Sequence, residues 1–112
     1  MELTAKMITI DCAEPRELAD WWAVVLGVEV AQDFGGFVIL AARPLVLGFQ
    51  RVPEEKLGKN RVHVDFSSAD RGGEVNRLVG MGARVVGEHT APEGLAWTTL
   101  QDPAGNEFCV SG

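Results

Sequence analysis

Hydrophobic and polar positions alternate in two matching stretches of the chain, Met7-Ile8-Thr9-Ile10-Asp11 and Arg61-Val62-His63-Val64-Asp65. Both have the period of two of a half-buried strand, both end in Asp, and both lead into a segment of helical periodicity. In the first half Leu18, Trp21, Trp22 and Val25 recur on one helical face, with Pro15 at the opening and Gly27 at the close. In the second half Val75, Leu78 and Val79 form a shorter stripe, and Gly82 stands where Gly27 did. Three short extended segments follow each helix, predicted at 28–32, 37–41 and 45–52, then at 83–89, 95–101 and 107–110. The turns Asp33-Phe34-Gly35-Gly36, Arg43-Pro44, Ala91-Pro92-Glu93-Gly94 and Asp102-Pro103-Ala104-Gly105-Asn106 separate them. The chain therefore reads as one α+β domain, 1–112, built from two strand-helix-three-strand (βαβββ) modules. Module one covers about 6–52, a polar connector 53–60, and module two about 61–112.

Alternation also assigns faces. Ile8, Ile10 and Cys12, and likewise Val62, Val64 and Phe66, are expected to face a helix, leaving Met7, Thr9, Asp11 and Arg61, His63, Asp65, Ser67 on the opposite side. A sheet with one helix covers only one of its faces. Two such sheets with polar groups on their open faces would be cupped around a small-molecule cavity. Trp21 and Trp22 point about 100° apart on a helix, so one is expected in the core and the other at an edge. Trp97, with Phe37 and Phe49, is a candidate flat wall for a planar ligand.

Composition narrows the classes of function. The 112 residues are 46% hydrophobic and 23% charged, enough for one small folded core and too apolar for disorder. Sixteen acids against ten bases give a net charge of −6, which disfavours binding to nucleic acid. No apolar run approaches the roughly 18 residues of a membrane span, and the start of the sequence lacks a signal-peptide layout, so a cytoplasmic protein is expected. Two cysteines do not make a disulfide framework.

The paired modules resemble the vicinal oxygen chelate superfamily, which includes glyoxalase I, extradiol dioxygenases and the bleomycin- and fosfomycin-resistance proteins. The resemblance rests on Ala19-Asp20-Trp21-Trp22-Ala23-Val24-Val25-Leu26-Gly27, similar to the family's first helix, and on Asp102-Pro103-Ala104-Gly105-Asn106-Glu107-Phe108-Cys109, similar to the turn before its last strand. The segment from Phe49 to Asp65 is similar to a glyoxalase-like subgroup. The resemblance implies two βαβββ modules with cupped mixed sheets, a homodimer, and a small-molecule ligand. In the superfamily's enzymes it implies a divalent metal held by His and Glu from the first and last strands of each module. Those positions fall here on Met7 or Thr9, on Gln50, on His63 and on Cys109, so only His63 matches. Accordingly no metal and no other cofactor is expected. The preferred expectation is a protein that binds and sequesters a toxic or secondary metabolite, with Gln50, His63, Asp65, Trp97 and Cys109 lining its site. The alternative is a metal-dependent lyase, isomerase or dioxygenase centred on His63. A third possibility is an assembly module whose open sheet another protein covers.

Asp65 and Glu107 are candidate general acids or bases beside His63, against the simpler reading that Arg61, Lys56, Lys59 or Arg51 pairs with them. Cys109 is a candidate nucleophile with His63 as its base, against the simpler reading of a small buried hydrophobe. For His63 itself the simpler reading is a cavity-wall histidine held by a carboxylate. Cys12 alternates onto the core side, and the Asp102 to Asn106 turn needs no catalytic role.

Overall fold

A helix ending in Leu26-Gly27 must release its last carbonyls, and Gly27 does so in the left-handed conformation at φ 66°, while the Val28 N–H donates back to the Ala23 carbonyl. The structure, a computed structural model, describes residues 2–112. Its first half contains β1 (Met7–Cys12), α1 (Pro15–Leu26), β2 (Val30–Asp33), β3 (Phe37–Leu40) and β4 (Val46–Arg51). The strands form a mixed sheet in the order β1-β4-β3-β2, with β1 parallel to β4 and the other pairs antiparallel. The second half repeats the plan with β5 (Val64–Ser67), α2 (Arg71–Gly80), β6 (Arg84–Thr90), β7 (Ala96–Gln101) and β8 (Glu107–Ser111), in the order β5-β8-β7-β6. This is the expected α+β architecture. The chain divides into two compact units, one ending at Glu55 and the other running Lys56–Gly112.

In the first unit α1 buries Leu18, Ala19 and Trp22 against β3 and β4, whose Val38, Leu40, Leu47 and Phe49 are almost wholly enclosed. Trp22 is 2% exposed, and Trp21 stands nearly perpendicular to it at a centroid distance of 5.0 Å, half-buried. One ring enters the core and its neighbour stays at the edge, as the 100° step along the helix requires. Phe49 departs from the expectation of a ligand wall. It is the cross-strand partner of Ile10 and is 0% exposed, so the register places it on the helix side, in the core. Cys12 is buried, and its thiol donates to the Gln50 carbonyl at 3.7 Å.

The β2–β3 hairpin is fastened by Asp33, which accepts from the Gly35 N–H at 2.8 Å and pairs with Arg16 of α1 at 2.9 Å. The backbone bond first, and the guanidinium second, hold the Asp33 carboxyl below its ordinary value of 3.8. A carboxyl depressed on folding contributes stability that is complete above the unfolded value and is lost as pH falls through the folded one. Asp33→Asn is therefore expected to make stability depend less on pH below about pH 4, read from urea unfolding across an acid pH series.

In the second unit Asp70 caps α2 by accepting from the Gly73 N–H at 3.0 Å, and α2 buries Val75 and Leu78. Two sequence expectations change here. Val79 is 46% exposed, because a ten-residue helix presents only the Val75/Leu78 side to its sheet. Val62 is 73% exposed, because the ladder with β8 begins only at Val64↔Phe108, and residues 61–63 precede the strand. Asp102 is buried and caps its own turn, accepting from the Ala104 and Asn106 N–H groups at 3.0 and 2.9 Å. Gly105 supplies the positive φ of 86° that the turn needs. The turn is thus structural, as its composition suggests. Among the described residues no helix is long and apolar enough to cross a membrane.

Candidate functional site

The register of the second sheet arranges its open face in rows. Asp65 on β5 faces Cys109 on β8, Cys109 faces Thr99 on β7, and Thr99 faces Gly87 on β6. One step further along lies the row Ser67, Ser111, Trp97, His89. The intervening residues, among them Phe108, Val110 and Leu100, are buried on the other side. The middle of the face is consequently floored by a carboxylate, a thiol, a hydroxyl and a glycine, all small, between larger side chains. A cavity of about 510 Å³ opens over this floor, within the size range of small-molecule sites.

One end of the cavity is aromatic. The imidazole of His89 stacks on the Trp97 indole, with centroids 5.3 Å apart and planes at 27°, and Leu95 adds an exposed apolar edge. Gly87 lies beside this stack, where a Cβ would make ordinary contact with the His89 ring at 3.4 Å from Nε2.

The other end is polar. His63 Nε2 lies 3.1 Å from Asp65 Oδ1, so the histidine is held by a carboxylate, the simpler role anticipated for it. Ligand-forming atoms of His63, Asp65 and Cys109 all fall within 4.8 Å of one another. Cys109 is 5% exposed, and its Sγ lies 3.3 Å from Thr99 Oγ1. Glu107 pairs with Lys59, while Asn60 Nδ2 donates to the Glu107 carbonyl at 3.2 Å and to the Val62 carbonyl at 3.3 Å. These contacts anchor the loop that delivers His63 to the sheet. Asp65 is therefore paired with His63 rather than with Arg61, and Glu107 with Lys59.

The first sheet has a different open face. Here Gly48 faces Thr9 on β1 and Ile39 on β3, and the space above it is taken by neighbours: a Cβ at Gly48 would lie 3.0 Å from the Phe37 ring and 3.1 Å from Met7 Sδ. Thr9, Asp11 and Gln50 are exposed on this sheet. Gln50 faces Asp11 just as Cys109 faces Asp65, so it stands at the repeat-equivalent position within its own unit. Phe37 packs over Gly48 in the first unit, whereas Trp97 belongs to the second.

Several site residues escape the sequence reading. His89, Thr99, Gly87 and Asn60 were not singled out, and the pairing of His89 with Trp97 is set by the register of β6 with β7.

A divalent metal, implied by the superfamily resemblance, can be tested against the donors present. Thr9 and Gln50 supply neither imidazole nor carboxylate, so the four-position set of the superfamily's enzymes is not reproduced. The trio of imidazole, carboxylate and thiol in the second unit does suit a borderline ion such as Zn²⁺, which takes three protein ligands and keeps an open position. It does not suit a hard ion that demands oxygen throughout.

Comparison with known proteins agrees with this architecture. The family model described as a glyoxalase-like domain matches residues 7–111. A glyoxalase/bleomycin resistance protein/dioxygenase family enzyme from Burkholderia phytofirmans PsJN superposes with a TM-score of 0.86 at 14% identity, covering 97% of this chain and 98% of its own. Lactoylglutathione lyase from Agrobacterium tumefaciens gives 0.76 at 16% identity, over 99% and 94% of the two chains. A glyoxalase-related enzyme from Fulvimarina pelagi gives 0.77 at 13% identity, over 99% and 88%. At such identities the likeness speaks for the fold alone. No curated protein matches the sequence significantly.

Proposed function

The chain belongs to the glyoxalase-like family of the vicinal oxygen chelate superfamily, and from that premise we propose that it binds and sequesters a planar small molecule on the open face of its second sheet. The observation that carries this reading is the hollow floored by Cys109 and Thr99 between an aromatic end and a polar end. A planar ring packs against the His89/Trp97 end, and a hydroxyl or carbonyl on that ring reaches His63, Asp65 or Thr99. The first sheet offers no such hollow at Gly48, where Phe37 and Met7 fill the space.

A homodimer in the cytoplasm completes the proposal. Modules of this size have small cores, so pairing of chains covers surface that each leaves open, and the two free cysteines suit a reducing compartment. Calorimetric titration with 1-naphthol, a neutral planar phenol, is the direct test. One saturable site per chain is expected, and absence of saturable binding across a series of planar phenols overturns the reading.

The His63, Asp65 and Cys109 trio favours a second reading, a metal-assisted lyase, isomerase or dioxygenase. In it those three groups would hold a divalent ion, which would supply Lewis-acid polarisation of a substrate oxygen, while the aromatic end orients the substrate. Elemental analysis of the untagged protein tests this reading: stoichiometric zinc that disappears in His63→Ala supports it, and a metal-free protein that takes up none on dialysis against Zn²⁺ removes it.

A further inference from the structure

We propose that Cys109 is a nucleophile that captures soft, planar electrophiles of the α,β-unsaturated carbonyl class, with His63 as its base and Asp65 as the group that positions the imidazole. The proposal deepens the binding reading above and rests on it for the shape of the electrophile alone. Four observations meet at one point. The Cys109 thiol lies on the cavity floor. The ligand-forming atoms of Cys109, His63 and Asp65 lie within 4.8 Å of each other, which sets the imidazole beside the thiol. His63 Nε2 is fixed at 3.1 Å from Asp65 Oδ1, as the base of a nucleophile-base pair is commonly oriented by a third group. The Thr99 hydroxyl, 3.3 Å from Sγ, is placed to donate to a thiolate once the proton has left. Cys12 is buried in the first unit, and its thiol donates to the Gln50 carbonyl.

The chemistry closes without an added reactant. Nδ1 of His63, the nitrogen not held by Asp65, takes the thiol proton, and the thiolate adds to the β-carbon of the electrophile, forming a C–S bond. The alkene electrons move onto the carbonyl as an enolate, and the proton on His63 passes to the α-carbon. Nothing leaves and nothing is oxidised. The product is a thioether whose mass is the sum of protein and electrophile, and the capture is stoichiometric, as sequestration requires.

Intact-mass and peptide-level rates of modification by N-ethylmaleimide and N-phenylmaleimide, measured with a chelator present from pH 6 to pH 9, test the proposal, with Cys12 as internal comparator. Cys109 is expected to react at least about tenfold faster than Cys12. His63→Gln is expected to slow Cys109 about tenfold or more near pH 7, and less as pH rises and hydroxide takes over removal of the thiol proton. Asp65→Asn should displace the pH profile, a change that loss of packing alone does not produce, and circular dichroism confirms that each variant is folded. Equal rates at Cys109 and Cys12, or a Cys109 rate insensitive to His63→Gln across the pH range, overturn the proposal. Preference for N-phenylmaleimide supports both this step and the aromatic wall. Equal rates for the two maleimides with His63 dependence intact support the nucleophile while removing the aromatic-wall reading.

Discussion

Trp97→Ala is expected to weaken binding of 1-naphthol by about tenfold, a loss near 1.4 kcal/mol. The expectation follows from geometry. Trp97 lines the cavity and is already stacked on His89 at 5.3 Å, so its ring is held in place before a ligand arrives. Aromatic pairs contribute about 0.5–1.5 kcal/mol beyond the area they bury, and the indole adds a large apolar area of its own. Removing the indole also releases the His89 ring from its partner, which loosens the wall further. Trp97→Phe retains a planar face and should recover most of the affinity. Calorimetric titration of the three proteins checks the order, and equal affinity in all three contradicts the assignment of the aromatic end as the ligand wall.

Phe49→Ala is expected to cost about 3–5 kcal/mol of stability, the range for emptying a fully enclosed phenylalanine site. Phe49 is 0% exposed on β4, between Ile10 of β1 and Val38 of β3, beneath α1. Its neighbours Val38, Leu40 and Leu47 are held in strands that cannot close over the void without breaking ladder hydrogen bonds. Against the roughly 5–15 kcal/mol of a typical domain this is a severe loss. Urea unfolding of the wild type and the variant measures it. A change under about 1 kcal/mol would return Phe49 to the role of an adaptable wall residue, as the sequence pattern alone allowed.

The contrast between Phe49 and Trp97 shows what is legible in a sequence of this kind. Alternation, helix-ending glycines and turn chemistry are local, so they recovered both modules, the Gly27 cap and the structural nature of the Asp102 turn. Which face a strand residue takes depends on register with a distant strand. Ile10 was assigned to the helix side from its own strand, but Phe49 joins it there only through the β1–β4 pairing. Val62 failed for a related reason. Its alternation continues that of Val64 and Phe66, yet the partner strand β8 starts at Glu107, and the anchored loop before β5 leaves Val62 outside the ladder.

At the candidate site the pattern was clearer for polar groups than for their partners. His63 and Asp65 were readable from the repeated alternating stretch and Cys109 from the family resemblance, and the structure brings the three together. Lys59 was among several cations near Glu107 in sequence, and only the fold selects it. His89 and Gly87 were missed because their value lies in cross-strand neighbours, the indole of Trp97 and the hydroxyl of Thr99, rather than in any motif. Gln50, expected in the same site, occupies the repeat-equivalent position in the first unit, where it faces Asp11.

A two-dimensional ¹⁵N–¹H NMR titration with 1-naphthol addresses the central claim, that the open face of the second sheet is the ligand site. Saturable shifts are expected to concentrate at Asp65, Gly87, His89, Trp97, Thr99 and Cys109, with the amides of β1 and β4 little changed. Saturable shifts centred on β1, β3 and β4 instead, or no saturable shifts at all, would contradict it.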